Sequence, residues 1–294
     1  MKLNICLVFF TVVFSLTSCN KTETATAKLF GFTGLSSLHP PENIIDTSGK
    51  TIASRIKCPQ GFTRKVYPEK SFGSFLFNFP LKPHGSKVYY FNGEEKSNSE
   101  VYIAVLDIDV GEKYLQQCAD AVIRLRAEYL YKRKLYDNIH FNFTNGFRFD
   151  YKKWAEGNRI KVSGNNTSWY AAKALDYSYA TFREYMNFVF LYAGTLSLSK
   201  ELKSVPTDSM QAGDVFIHGG SPGHAVIITD VAIEKSTGNK IMTIAQSYMP
   251  AQNIHVLVNE NDAQLSPWYD LSKTDKLYSP EWTFEKTELK RFRD

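Results

Sequence analysis

A chain of 294 residues is long enough for one or two domains. Its 35 Lys and Arg against 30 Asp and Glu leave a formal charge of +5, spread without a dense basic stretch. Such a balance speaks for solubility and against a nucleic-acid partner.

The chain opens with Lys2, an apolar run from Ile5 to Leu16, and then Thr17 and Ser18 before Cys19. That is the layout of a secretory signal over residues 1–18. About a dozen apolar residues fall short of the roughly 20 that span a hydrocarbon core, so no permanent membrane helix is expected. Leu16-Thr17-Ser18-Cys19 resembles the lipobox of bacterial lipoproteins. The resemblance implies lipid on Cys19, cleavage before it, and a protein held at a membrane in the cell envelope, on a face the sequence leaves open. Residues 19–50, poor in apolar side chains at first and then broken by Pro40, Pro41 and Gly49, read as a flexible tether. Cys6 leaves with the signal, so Cys58 and Cys118 remain. Their settings, a Pro-flanked loop and a helix, predict two unpaired thiols.

From residue 51 to 294 the pattern is that of a single packed domain. Ser71 to Phe77 reads as a short aromatic helical turn, and Lys87 to Asn92 and Val101 to Asp107 as strands. Tyr114 to Tyr131 is the clearest helix, with Cys118, Val122, Leu125 and Tyr129 on one face and Arg124, Arg126 and Glu128 largely on others. A start near Glu112 would put Cys118 in its second turn. Phe141 to Tyr170, with three glycines and several asparagines, reads as an irregular insertion. A second helix is expected over Tyr179 to Tyr192, with Gly194 suited to the left-handed position past its end. Strands are then expected over Asp214 to Ile217, His224 to Val231, Ile241 to Gln246 and Ile254 to Val258. Helices first and an antiparallel meander afterwards predict an α+β domain.

A helix bearing Cys118, a Gly213-Asp214 strand, and a hairpin leading to a strand that opens with His224 resemble the papain-like NlpC/P60 and amidase-type cysteine hydrolases in order. That resemblance covers mainly residues 114–258. It implies a papain-like half-barrel with Cys118 as nucleophile, His224 as base and Gln246, or less well His255, orienting the imidazole. The reaction would be hydrolysis or transfer of an amide, with peptidoglycan or another envelope polymer as partner and no cofactor. An imidazolium beside the thiol should lower its pKa. Cys118 also continues the apolar stripe through Val122 and Leu125, as a core cysteine would. On that reading the domain is a non-catalytic binding module.

Four blocks make the chain similar to an uncharacterised lipoprotein family, the domain of unknown function 4846. They are Leu115-Gln116-Gln117-Cys118-Ala119-Asp120-Ala121, Tyr192 to Leu198, Gly219-Gly220-Ser221-Pro222-Gly223-His224-Ala225, and Ala245 to Gln252. Other constellations are weaker. Asp107 and Asp109 would share a strand face, which a glycosidase pair could use, but nothing else in the sequence supports a sugar site and an exposed strand end explains them better. His218, His224 and His255 lack the close spacing of a metal site. The run Gly219 to Gly223 joins two strands and so is no phosphate loop. Trp154, Trp169, Trp268 and Trp282 belong to a core unless they cluster at the surface.

Overall fold

The strands His224–Glu234 and Lys240–Gln246 are nearly unbroken apolar runs, and strands of that kind must be covered on both faces. In the computed structural model, which describes residues 43–293, they lie at the centre of a nine-stranded antiparallel sheet. Its order is Tyr102–Val105, His255–Leu257, Lys240–Gln246, His224–Glu234, Val215–His218, Leu289–Arg291 and Lys203–Ser204. Phe62–Arg64 pairs with the far end of the His224 strand, and Tyr269–Asp270 with the start of the Lys240 strand.

Period-two alternation sorts the strand residues between two cores. Ile217, Ala225, Ile227 and Ala245 join the larger core, which also contains the helices, whereas Phe216, Val226, Ile228 and Ile244 join a smaller one with Leu277, Phe284 and Leu289. The smaller core is supplied by a C-terminal hairpin, Lys276–Ser279 with Trp282–Glu285. The larger includes residues of Cys118–Lys132 and Tyr179–Tyr192. The architecture is thus a mixed α+β fold built on one large antiparallel sheet.

Several expectations hold and several change. The aromatic turn is a helix, Phe72–Phe77, whose Ser71 side chain accepts from the Ser74 N–H. The second helix runs over Tyr179–Tyr192 as expected. Gly194 is not in a left-handed position; it is extended and starts a further helix, Thr195–Glu201. Residues 87–92 contribute only bridges, Tyr89 to Glu95 and Tyr90 to Gln252. The supposed irregular insertion is two hairpins, His140–Asn142 with Arg148–Asp150 and Asn158–Ser163 with Asn166–Ala171, joined by the helix Tyr151–Ala155. Its glycines are turn residues, with Gly146 at φ 85° and Gly164 at φ 58°. Stacking of Phe149 on Trp169 at 5.2 Å and on Tyr185 at 4.6 Å ties these hairpins to the second helix.

Packing begins before residue 51. Ile44 is buried, and Ile45 bridges to Ile56. The expected signal, Cys19 and residues 20–42 of the expected tether lie outside the described residues. Among the described residues no helix is long and apolar enough to cross a membrane.

Candidate active site

Cys118 is the first residue of its helix, Cys118–Lys132, and not a member of the second turn. Residues 111–117 form a loop because stronger partners than a helical turn hold them. Gly111 sits at φ 80°, and the Asp120 carboxylate reaches back to accept the Gln117 N–H at 3.0 Å. Arg124 fixes the same loop from below. Its guanidinium donates to Gln116 Oε1 at 2.9 Å, Asp109 Oδ2 at 3.0 Å, Tyr179 Oη at 3.1 Å and Glu128 Oε1 at 2.7 Å. Arg124, Arg126 and Glu128 are buried, as is every residue from Ala119 to Glu128, so this stretch of the helix shows no polar face. Cys118 as a residue keeps partial exposure, unlike the fully buried Ala121, Val122 and Leu125 that follow.

His224 opens its strand opposite His218. Its Nε2 lies 2.7 Å from Gln246 Oε1, and Gln246 Nε2 donates to Glu281 Oε2 at 2.5 Å. The other carboxylate oxygen of Glu281 accepts from Lys96 Nζ at 2.7 Å. This chain settles the protonation pattern. A carboxylate only accepts, so Glu281 must face the Gln246 amide nitrogen, and the Gln246 oxygen must then face His224. Nε2 of His224 therefore carries the ring proton, and Nδ1 keeps its lone pair. Tyr248, Trp282 and Phe284 surround the imidazole at centroid distances of 4.9, 5.4 and 5.8 Å.

Cys118 and His224 line one cavity of about 400 Å³, together with Gln117, Asp120, Tyr248 and Trp282. The loop Gly220–Gly223 and the start of the Thr195 helix form its other wall. The glycines there are a packing requirement. A Cβ on Gly223 would stand 2.4 Å from Thr195 Oγ1 and 2.5 Å from Gly220 O. Thr195 Oγ1 donates to that same Gly220 carbonyl at 3.1 Å.

Burial disfavours charge on both the thiol and the imidazole. It pushes the Cys118 thiol up to about 11, with the Asp120 charge adding to the rise, although the N–H groups of Ala119 and Ala225 oppose it. It pulls His224 down to about 4, against the Gln246 hydrogen bond. The resting pair is thus neutral thiol and neutral imidazole, and the lowered thiol pKa expected from the sequence is replaced by a raised one. A larger cavity of about 660 Å³, lined by Asp208, Glu234, Lys240 and Asp270 among others, shares no residue with this one and holds no cysteine or histidine.

The remaining sequence candidates fall elsewhere. His255 is fully buried, its Nδ1 on the Asn253 carbonyl at 2.9 Å, so Gln246 and not His255 orients His224. His218 pairs with Glu288 at 2.6 Å at the surface. Among the described residues no three His, Cys, Asp or Glu side chains gather as metal ligands. Asp107 and Asp109 follow the strand and are not on it, and Asp109 braces Arg124 and Arg183. Trp154 and Trp268 are core residues, and Trp282 lines the cavity. Cys58 and Cys118 are both free.

Sequence reading missed Lys96, Glu281 and Trp282 as site residues. Glu281 occupies the turn of the C-terminal hairpin, beyond residue 258, and Lys96 a loop with little pattern of its own. The nearest signal was Ser279-Pro280-Glu281-Trp282, a turn joining two short strands. Comparison with curated proteins and with solved structures returned no match. The profile for domain of unknown function 4846 matches residues 52–291, a span that holds nearly all of both cores and every member of the Cys118, His224, Gln246, Glu281 and Lys96 constellation, and the chain belongs to that family.

Proposed function

We propose that this protein is a lipid-anchored envelope hydrolase that cleaves or transfers an amide through Cys118, with peptidoglycan peptide as the substrate to test first. The observation that carries the reading is a cysteine at a helix start sharing a cavity with a histidine whose other nitrogen is engaged by Gln246. That combination of nucleophile, base and orienting group is the minimum for acyl transfer by a thiol. It is also what a papain-like fold would require, and the large antiparallel sheet beside the Cys118 helix is compatible with one. The first nineteen residues support the anchor through Cys19.

The chemistry follows from the neutral resting pair. The Cys118 S–H passes its proton to Nδ1 of His224 as the sulfur attacks the acyl carbon, so charge develops only with bond formation. The first helical N–H groups have no intrahelical acceptor, and they favour negative charge on the nearby oxyanion. Collapse of the tetrahedral intermediate breaks the C–N bond, and His224 returns the proton to the departing amine. Water then attacks the thioester, His224 takes its proton, and the thiol is restored as the acid leaves. Gln246, held by Glu281 and Lys96, keeps the imidazole in the tautomer this sequence needs.

Digestion of purified peptidoglycan, with mass analysis of the released fragments, tests the proposal. The wild type should produce new amine and carboxyl ends at a peptide bond, and Cys118→Ala should not. Identical fragments from both proteins would reduce the cavity to a binding cleft.

A further inference from the structure

Asp120 lines the cavity two residues after Cys118. One of its oxygens, Oδ2, is spent on the Gln117 N–H. The other, Oδ1, is buried without a hydrogen-bond partner, and the residue keeps 6% of its surface. A buried carboxylate oxygen left unpaired is costly, and native structures rarely retain one without a use. Among the described residues no lysine or arginine lines the cavity to supply the missing partner. An ionised Asp120 also opposes negative charge on the neighbouring Cys118 sulfur. Burial favours the protonated form of Asp120 in the empty site, and a cationic donor at Oδ1 would favour the ionised form.

We propose that Asp120 is the specificity-determining residue of this site and takes, on Oδ1, a primary ammonium carried by the substrate close to the scissile amide. The inference rests on the reading of Cys118 as nucleophile and adds the substrate class. The bound ammonium satisfies Oδ1 and balances the charge of the carboxylate it ionises. Amides with an anionic group at the same place are rejected, because that charge would meet Asp120 with no cation in the lining.

Three methanethiosulfonate reagents test this without a natural substrate: 2-aminoethyl, methyl and 2-sulfonatoethyl. In each case the Cys118 thiolate attacks the reagent's sulfenyl sulfur, a mixed disulfide forms and methanesulfinate leaves. Rates at Cys118 are followed by peptide mapping at pH 8 and divided by those of N-acetylcysteine. The expected order is aminoethyl, then methyl, then sulfonatoethyl, with about a tenfold spread or more between the ends from a charge-assisted contact. Asp120→Asn should collapse the spread. Equal normalised rates in the wild type, or an unchanged order in Asp120→Asn, overturn the inference and leave Cys118 as nucleophile untouched. Should the variant not fold, the wild-type order decides. Failure of Cys118 to react with any of the three until the protein is unfolded overturns both the inference and the proposed function.

Discussion

Replacing Glu281 with Gln removes one charge and no volume, yet it should be among the most disruptive single changes near the site. The Glu281 carboxylate accepts twice, from Lys96 at 2.7 Å and from Gln246 at 2.5 Å. A neutral amide has one accepting end and one donating end, so in either orientation it turns a donor toward Lys96 or toward Gln246. Lys96 retains 4% side-chain exposure and Glu281 15%, so an unmatched ammonium would stay largely buried. Removing one partner of a buried pair costs about 3–5 kcal/mol, and the residual exposure of Glu281 argues for the lower end, about 3 kcal/mol. With a urea slope of about 3 kcal/mol/M, the unfolding midpoint should fall by roughly 1 M. Lys96→Met in the same chain should recover most of the loss, because the introduced amide could then turn its oxygen to the Gln246 nitrogen. Urea unfolding of the wild type, both single variants and the double variant gives the coupling directly. A Glu281→Gln cost below about 1 kcal/mol, or a double variant no more stable than Glu281→Gln alone, would refute the reasoning.

Other consequences follow from the same geometry. Gly223→Ala should destabilise by about 1–3 kcal/mol in thermal melts and displace the neighbouring His224, since the new Cβ meets Thr195 Oγ1 at 2.4 Å; an unchanged melting temperature would show that the loop can yield. Burial raises Asp120 to about 8, so the native state holds its proton while the unfolded chain releases it above the ordinary value of 3.8. The stability this group contributes is present below that value and lost as pH rises through about 8. Urea midpoints should show the wild type losing ground to Asp120→Asn between pH 4 and pH 8, and a constant difference would contradict it. Labelled palmitate should mark the wild-type protein in growing cells and not Cys19→Ala; equal labelling would remove the lipid anchor.

What the sequence revealed and what it hid have physical reasons. Tyr179–Tyr192 and the strands from Val215 to Leu257 were legible because periodicity, glycines and turn residues agreed. The start of the Cys118 helix was not. Its cap is Gln117 with Asp120, outside the usual Ser or Thr box, and the loop before it is held by Arg124, a residue whose charge suggested a solvent face. The hairpins between residues 140 and 171 were hidden because asparagine and glycine mark both irregular loops and tight turns. Cys118, His224 and Gln246 could be named because chain order constrained them. Glu281 and Lys96 could not, since only tertiary packing carries a hairpin turn and a loop from opposite ends of the chain to the far side of Gln246.

Acylation by a small activated ester asks most directly whether Cys118 can hold an acyl group. Mixing the folded protein with p-nitrophenyl acetate should release a burst of p-nitrophenolate equal to the protein present. Intact-mass and peptide analysis should place one acetyl group on Cys118 as a thioester labile to hydroxylamine. The burst should vanish in Cys118→Ser and slow at least a hundredfold in His224→Ala, on the order of what a positioned general base contributes. A burst of the same size and rate in His224→Ala, or acetyl found only on lysines and Cys58, would contradict the claim that Cys118 and His224 act together.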